Sequence, residues 1–287
     1  MLDCSKEINL DITYRCTLQC KGCNRQDEDY TIVKQEMCMD EFLKVLDEYD
    51  KIMFCGGQSD PIFHTQFIDF LKICYERNKL AIVHTAASHK KKEWYEKAFD
   101  ANPKAQWKFG IDGLPKDSHK YRINQDGQKL FDMMLMAHKK GLDVEWQYII
   151  FDYNEDTQLD AYKLAKDNGI RLQFLETNTD VDIKLNYNLT SEVVPRCLNK
   201  TTPMYYAAGG HILPCCWLDS HKEEVKELYD PTLTLNKNSI KEIINSNIWK
   251  EFNNKIKTDP YTICRKRCGI NHSQQDAKMK RTFLNAK

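Results

Sequence analysis

Three cysteines, Cys16, Cys20 and Cys23, form a CxxxCxxC pattern directly after a short segment that alternates like a β-strand. Three thiolates are one fewer than a closed tetrahedral metal site requires. A four-iron four-sulfur cluster held by three cysteines keeps one iron open to bind another molecule. The pattern therefore predicts an iron–sulfur cluster with an open iron, and the alternative is a zinc site completed by His84 or Cys55.

A second group of cysteines lies far along the chain. It comprises Cys197, the adjacent Cys215 and Cys216, and the pair Cys264 and Cys268. Residues 177–192 are polar and irregular and are predicted to be a connector, and the segment beyond them has one predicted helix, over residues 240–256. Few apolar residues make a weak core, and small modules of this kind usually need a metal or a disulfide.

Six apolar segments rich in β-branched and aromatic residues predict strands. They are residues 7–14, 51–55, 80–85, 105–111, 144–151 and 171–176. Helical segments alternate with them; one follows Cys38, and another runs from about Glu155 to Gly169. This alternation predicts an α/β fold with a parallel sheet, either doubly wound or curled into a barrel.

The segments with chemically useful residues all follow predicted strands. They are Cys16, residues 55–58 (CGGQ), 84–87 (HTAA) and 111–113 (IDG), and Glu176. Ligand and catalytic groups of such folds lie at the carboxyl ends of parallel strands. We therefore expect these segments to converge on one rim of the sheet.

Composition excludes several classes of protein. The 287 residues, 41% of them hydrophobic, suffice for one large domain and a smaller one. Lys plus Arg (42) balance Asp plus Glu (42), which gives no electrostatic case for binding nucleic acid or an anionic membrane. No segment approaches the roughly 18 apolar residues of a membrane span, and early charges exclude a signal peptide. We expect a cytoplasmic protein whose twelve cysteines are reduced, which favours metal ligation over disulfides.

The cysteine pattern after the first strand resembles that of the radical S-adenosylmethionine (radical SAM) superfamily. Residues 54–61 (FCGGQSDP) resemble its glycine-rich motif, and residues 109–122 and 144–156 resemble the fourth and fifth strand regions of members with an auxiliary cluster. The resemblance implies a partial (β/α)6 TIM-like barrel over residues 1–190, with S-adenosylmethionine (SAM) chelated to a [4Fe–4S] cluster. Reduction by a flavodoxin- or ferredoxin-type partner would cleave SAM to methionine and a 5′-deoxyadenosyl radical, which abstracts hydrogen from the substrate.

The resemblance also implies particular contacts with SAM. Gly56 and Gly57 lack Cβ, so their backbone carbonyls can approach the ammonium group, and Gln58 adds a side-chain carbonyl. The guanidinium of Arg122 would bind the carboxylate of SAM. Tyr14 is a candidate aromatic wall of this site, with a place in the core as the alternative.

Three positions depart from the usual pattern of the family. Gly22 stands where an aromatic residue often precedes the third cysteine, Gln58 where a glutamate often ends the glycine-rich motif, and Gly110 where many relatives carry a serine that touches SAM. None of the three supplies a cluster ligand. A non-catalytic iron–sulfur or zinc scaffold that kept the fold and lost SAM chemistry therefore stays an alternative.

The later cysteines resemble the twitch extension, a shortened SPASM domain, in which a GxxxxC segment and a close cysteine pair hold an auxiliary [4Fe–4S] cluster. Residues 210–215 match GxxxxC. The resemblance implies a domain over residues 191–287, with Cys216 as a possible replacement for Cys215. Its implied ligands are Cys197, Cys215, Cys264 and Cys268. Structural zinc suits four thiolates equally well and is the alternative.

Four cysteines lie outside both groups. They are Cys4, Cys38, Cys55 and Cys74. We expect them to be small buried apolar residues. Cys55 is a special case, because it lies at the predicted rim beside Gly56.

An auxiliary cluster saturated by four cysteines favours transfer of an electron from a substrate radical. Members with this extension include an aminocyclitol alcohol dehydrogenase, the molybdopterin-precursor cyclase and enzymes that modify ribosomally made peptides, so the resemblance implies a peptide or small-molecule substrate. Dehydrogenation also needs a base, for which Asp112, Glu176 and Asp219 are candidates. Peptide-modifying members often begin with a leader-binding domain, and only fifteen residues precede Cys16, which disfavours a peptide substrate unless a separate protein supplies the recognition element.

Overall fold

The computed structural model describes residues 4–26, 32–176, 193–269 and 282–284. Within these ranges, nine strands form one sheet. They are β1 (Glu7–Leu10), β2 (Lys51–Phe54), β3 (Leu80–Thr85), β4 (Gln106–Gly110), β5 (Asp143–Ile150), β6 (Arg171–Glu176), β7 (Met204–Ala207), β8 (His211–Leu213) and β9 (Thr282–Leu284). Their order across the sheet is β8-β7-β1-β2-β3-β4-β5-β6-β9.

Helices connect and flank these strands. The α-helices are α1 (Met39–Glu48), α2 (Phe67–Glu76), α3 (Lys92–Ala101), α4 (Gly127–Lys139), α5 (Gln158–Asp167), α6 (Ile240–Ile244), α7 (Asn247–Thr258) and α8 (Thr262–Cys268). Shorter 3-10 helices lie at Asn24–Gln26, Pro61–Phe63, Ser118–Lys120 and Glu155–Thr157, and a kinked 3-10 segment covers Cys216–Tyr229. In the described part of the chain, no helix has the length and hydrophobicity to cross a membrane.

The first six strands form the predicted parallel sheet. Each of β1 to β5 pairs in parallel with the next strand along the chain, and a helix, α1 to α5, lies in each connection. Parallel strands joined by helical crossovers all direct their carboxyl ends to the same edge. The prediction of an α/β fold with a partial, TIM-like barrel of parallel strands is confirmed.

The two faces of this sheet differ in polarity, because successive side chains of a strand point to opposite sides. On β4, Trp107 is fully buried and its ring lies 4.9 Å from the ring of Phe99 on α3 and 6.3 Å from that of Phe67 on α2. The next residue, Lys108, points to the other face and its Nζ lies 3.0 Å from a carboxylate oxygen of Glu145. The apolar core therefore lies between the sheet and its helices, and the inner face is polar.

Predicted and observed bounds differ at a few ends. The first strand ends at Leu10 rather than at residue 14, and the side chain of the next residue, Asp11, bonds a neighbouring loop instead. The helix predicted from Glu155 begins with a 3-10 turn and becomes α-helical at Gln158.

The single helix predicted over residues 240–256 is wrong. The structure has two helices there, α6 and α7. Ser246 accepts a hydrogen bond from the backbone N of Trp249 (3.3 Å), so its side chain caps the start of a new helix.

The later part of the chain extends the same sheet. β7 pairs in parallel with β1, β8 pairs antiparallel with β7, and β9 pairs antiparallel with β6. The predicted connector, residues 177–192, lies outside the described residues. Strands from the later part of the chain therefore continue the core sheet at both of its edges.

The cysteines outside the two groups have different environments. Cys4 and Cys74 are buried, as predicted, and Cys55 is partly buried. The prediction is wrong for Cys38, which is exposed. Its backbone N donates to the Glu41 carboxylate (2.9 Å), and it forms the N-cap of α1, a position at the surface where the chain turns into the helix.

Leucine-to-alanine variants test where the core lies. Leu71 on α2 is fully buried, and Leu159 on α5 is 61% exposed. Leu71→Ala should lower the free energy of unfolding by about 2–5 kcal/mol, because it removes buried methyl groups and leaves a cavity. Leu159→Ala, the matched control, should change it by less than about 0.5 kcal/mol. Urea unfolding followed by circular dichroism measures both, and equal losses would contradict the placement of the core.

Candidate active site

The first cysteine group lies on the loop that leaves β1. Cys16, Cys20 and Cys23 are each partly exposed, and the backbone N of Cys23 donates to the carbonyl of Cys20 (3.1 Å). Burial raises the pKa of Cys16 to about 12, with the nearby Asp60 adding to the shift. Burial also raises the pKa of Cys20, and the positive charge of Arg122 opposes this. The thiols of Cys16 and Cys20 are therefore neutral at pH 7 without a bound cation.

The glycine-rich loop after β2 is held by a buried carboxylate. Asp11 accepts hydrogen bonds from the backbone N of Gln58 (3.1 Å), the hydroxyl of Ser59 and the hydroxyl of Tyr205 (3.2 Å). A Cβ on Gly57 would lie 2.6 Å from the Tyr205 hydroxyl oxygen. Glycine at this position is therefore required for the loop to pack against β7.

Gly56 is required for a different reason. Its φ is +25°, in the region that disfavours other residues, and a Cβ there would collide with the backbone carbonyl of Ser59. The two glycines thus form a tight turn whose backbone faces the rim. This turn is the segment that the sequence predicts to contact SAM.

Asp11 is a functional candidate that sequence reasoning missed. It is 1% exposed, and burial raises its pKa from 3.8 to about 7, with Asp219 also raising it and the donors from Ser59, Gln58 and Tyr205 opposing. The signal in the sequence is a charged residue between Leu10 and Ile12 at the end of an apolar strand.

Asp60 is a second residue that was missed. Its carboxylate accepts from the backbone N of Ala86 (2.8 Å) and Ala87 (2.9 Å) and from the Thr85 hydroxyl (2.9 Å). Its own backbone N donates to the carbonyl of Arg15 (3.0 Å), beside Cys16. Asp60 therefore ties together the cysteine loop, the glycine-rich loop and the HTAA segment after β3, which converge on one rim.

Arg122 and Asp112 form a buried ion pair. Arg122 Nε lies 2.7 Å from Asp112 Oδ2, and the backbone N of Ile149 donates to Asp112 Oδ1 (2.9 Å). Burial raises the pKa of Asp112, and Arg122 opposes the shift. A Cβ on Gly110 would lie 2.9 Å from Arg122 Nη2. Arg122 therefore fills the space that a larger side chain at Gly110 would need.

The three candidate bases lie in different places. Asp112 is fully buried in its ion pair with Arg122. Glu176 ends β6, and its side chain lies outside the described residues. Asp219 accepts a hydrogen bond from the Tyr229 hydroxyl (2.8 Å) and lies 3.6 Å from Lys222 Nζ.

One cavity at the rim brings several predicted residues together. We call it the rim cavity, and its lining includes Asp11, Thr13, Tyr14, Arg25, Val33, Gln58, Ala208, Asp219 and Lys222. Tyr14 is partly exposed here. Asp219 lines this cavity together with Gln58 of the glycine-rich loop, and Asp112 does not.

The second cysteine group also surrounds one cavity. Its lining includes Cys197, Cys215, Cys264 and Cys268 together with Trp217 and Arg267. Cys264 and Cys268 are four residues apart on α8, so the three-residue spacing places both on one face of a helix. Burial and the neighbouring cysteines raise the pKa of Cys197 to about 11 and that of Cys264 to about 12.

Cys215 and Cys216 point to different neighbours. Cys215 lines the cavity; burial raises its pKa, and the neighbouring Cys216, Cys197 and Cys264 add to the shift. Cys216 also adds to the rise in the pKa of Cys55 that burial causes, and it lies near Arg267 and Asp219. Cys215 is therefore the better candidate to join the other three thiols. Among the described residues, no group of three or more His, Cys, Asp or Glu side chains is arranged to hold a metal ion.

The raised pKa of Asp11 predicts a pH dependence of stability. Because folded Asp11 keeps its proton up to about pH 7 and the unfolded chain loses it near pH 4, this residue makes stability fall as pH rises between these values. Asp11→Asn removes this contribution, so the variant should gain stability relative to wild type between pH 5 and pH 7.5. Urea unfolding at both pH values measures the difference.

The exposed Asp69→Asn on α2 is the matched control for loss of one carboxylate. A constant difference between Asp11→Asn and wild type at the two pH values would contradict the assigned pKa.

No protein-family model matches the chain. A tungsten-containing aldehyde ferredoxin oxidoreductase cofactor-modifying protein of Pyrococcus furiosus is 35% identical over 75 residues, 23% of this chain and 20% of that protein. A GTP 3′,8-cyclase of Clostridium perfringens is 26% identical over 190 residues, 59% of this chain and 54% of that protein. The matches thus span at most about half the length of these relatives.

Solved structures match over more of the chain. Streptococcus suis SuiB bound to S-adenosylmethionine gives a TM-score of 0.64 at 12% identity, over 93% of this chain and 70% of that one. SuiB bound to the precursor peptide SuiA gives 0.62 at 10% identity, over 92% and 71%. Hexahistidine-tagged anSMEcpe with bound AdoMet gives 0.60 at 14% identity, over 95% and 91%. These proteins are radical SAM enzymes. The chain therefore shares the fold of these solved structures.

Proposed function

We propose that this protein is a radical SAM enzyme that oxidises or otherwise modifies a peptide or small-molecule substrate. The observation that carries the proposal is the convergence at one rim of the cysteine loop, the glycine-rich loop and the HTAA segment, joined through Asp60. Each of these segments lies at the carboxyl end of a different parallel strand. The rim of an α/β barrel is where catalytic groups assemble.

The cysteine loop would hold a cluster with one open iron. Cys16, Cys20 and Cys23 lie on one loop that ends in a 3-10 turn, and the Arg25 guanidinium donates to the carbonyl of Cys16 (3.2 Å). A metal centre deprotonates the thiols that bind it, so the neutral thiols of Cys16 and Cys20 would release protons on loading. With a [4Fe–4S] cluster and SAM bound, the site would supply reductive cleavage of SAM to methionine and a 5′-deoxyadenosyl radical.

The protein's own residues orient SAM. The turn at Gly56 and Gly57 presents backbone carbonyls to an ammonium group, and Asp11 fixes this turn by accepting from Gln58 N. Arg122 is held at its Nε by Asp112, and its Nη2 lies beside Gly110 at the rim, where it is available to a carboxylate. Where many relatives carry serine, this chain has Gly110, and the guanidinium of Arg122 occupies the space that a larger side chain would need.

We assign the role of base to Asp219. It lines the rim cavity beside Gln58, and the Tyr229 hydroxyl and Lys222 hold its Oδ1. A carboxylate so oriented can take a proton from a hydroxyl or amide of a substrate whose hydrogen has been abstracted. Asp112 is occupied by Arg122 and is assigned a positioning role.

The second cysteine group is assigned an auxiliary [4Fe–4S] cluster. Support comes from four thiols that line one cavity, three of them on or beside the elements that follow β7. Saturated by Cys197, Cys215, Cys264 and Cys268, the cluster would carry an electron away from the substrate. A structural zinc ion in this module is the alternative, and a flavodoxin- or ferredoxin-type protein is the proposed reductant.

A peptide is the substrate class that we favour. The fold matches SuiB bound to a precursor peptide over 92% of this chain, and a native anSMEcpe structure contains a Cp18Cys peptide. The curated relative named GTP 3′,8-cyclase keeps a small-molecule substrate as the second candidate.

Formation of 5′-deoxyadenosine tests the enzymatic proposal. Reconstituted wild type, reduced with dithionite and given SAM without substrate, should release 5′-deoxyadenosine, measured by liquid chromatography and mass spectrometry. Gly57→Ala should reduce the rate at least about tenfold, because the added methyl meets the Tyr205 hydroxyl and displaces the loop.

Gly141→Ala is the matched control, because a Cβ there meets nothing within 4 Å. Its φ of +86° costs the variant some stability, but the residue lies in the turn before β5, at the end of the sheet opposite the rim. It should therefore keep the wild-type rate. Fully iron-loaded wild type that forms no 5′-deoxyadenosine would support the non-catalytic scaffold instead.

Metal content tests both clusters and the choice between Cys215 and Cys216. Wild type reconstituted without oxygen should hold about eight irons per chain, and a variant with Cys16, Cys20 and Cys23 changed to alanine about four. Cys215→Ala should also hold about four, and Cys216→Ala, its matched control, about eight. Iron and zinc are measured by inductively coupled plasma mass spectrometry, and about four irons with one zinc in wild type would establish the zinc alternative.

A further inference from the structure

A groove of about 440 Å³ opens beside the rim cavity. We call it the lysine groove; its walls are the turn after β7, the kinked segment Cys216–Tyr229 and the loop of residues 231–237. The side chains used below are Lys222, Lys226, Lys237, Glu223, Tyr229 and Pro231. The groove is as large as many ligand sites.

Lysines outnumber acidic residues among the side chains that line the groove. Three lysines line it against one acidic residue, Glu223, although the whole chain has a formal net charge of zero. Lys226 and Lys237 are exposed. Lys237 Nζ donates to the carbonyl of Pro231 (2.7 Å), so this lysine is held at the wall. Burial lowers the pKa of His211, which also lines the groove and adds no charge at neutral pH.

The groove adjoins the rim cavity. Val33, Ala208 and Lys222 line both. Lys222 lies at the junction, 3.6 Å from Asp219 and 5.4 Å above the ring of Tyr229. A chain that lies in the groove can therefore place its next residue beside Asp219 and Gln58.

We propose that the lysine groove binds an acidic segment of a peptide substrate and so presents the neighbouring residue to the rim. Lysines contributed by separate segments suit carboxylates spaced along an extended chain, and Tyr229 and Pro231 give apolar walls for its aliphatic parts. The role in presentation rests on the proposed function, whereas the binding itself does not.

Binding of a labelled acidic peptide tests this proposal. Hexaglutamate carrying a tetramethylrhodamine label is titrated with iron-loaded protein, without SAM or reductant, and followed by fluorescence anisotropy. Lys226→Glu and Lys237→Glu should each weaken binding at least about fivefold, and added salt should weaken wild-type binding. Labelled hexaglutamine should not bind.

Lys250→Glu is the matched control. Lys250 is an exposed residue on α7 outside the groove, and its substitution changes the net charge equally. Melting temperatures confirm that each variant is folded. Wild-type affinity in Lys250→Glu supports the groove, and an equal loss in Lys250→Glu would overturn it.

Competition identifies the source of the negative charge. Unlabelled hexaglutamate should displace the probe, and free glutarate at the same carboxylate concentration should not. Displacement by glutarate, or equally strong displacement by an RNA hexamer, would overturn the assignment to a peptide. Because this assay contains no SAM, failure of SAM cleavage and failure of groove binding are observed separately.

Discussion

Backbone N–H groups in buried loops need acceptors, because no strand partner or water reaches them. At this rim the acceptor is the carboxylate of Asp60, which takes three hydrogen bonds from residues 85–87. Asp60 is 3% exposed, and burial raises its pKa while the three donors oppose the shift. Its backbone also bonds to Arg15 at the start of the cysteine loop. The relative positions of the cysteine loop, the glycine-rich loop and the end of β3 therefore depend on Asp60.

Asp11 is a second buried side chain that accepts hydrogen bonds from a loop at the rim. It holds the glycine-rich loop against Tyr205 of β7, a residue 194 positions later in the chain. The glycine-rich loop and β7 thus meet at the carboxyl group of Asp11. A substitution that moves either segment would therefore also move the other through this contact.

Local patterns predicted much of this molecule. Alternating apolar segments predicted six strands that the structure contains, and strand ends predicted where the cysteine and glycine loops lie. Asp11 and Asp60 could not be predicted, because their partners come from segments distant in sequence. Arg122 and Asp112 were predicted in separate roles, and their ion pair follows from the way Gly110 leaves room for the guanidinium.

The details that the sequence did not predict depend on where each residue lies in the fold. The predicted helix over 240–256 ignores Ser246, whose side chain can cap a helix wherever the chain bends. Cys38 was predicted from its residue type alone, whereas its place at the start of α1 decides its exposure. The choice of Cys215 rather than Cys216 needed the fold, because only the fold shows that Cys215 lines the cavity with the other three thiols.

The shortness of α8 has a consequence for how the protein is made. A helix of seven residues, with Ile263 as its buried residue, is too short to be stable by itself. Binding of both Cys264 and Cys268 to one metal centre would fix two successive turns at once, so ligand binding and helix formation become a single event. If the proposed second metal centre binds there, a chain that has lost it would be open to proteases at α8 first.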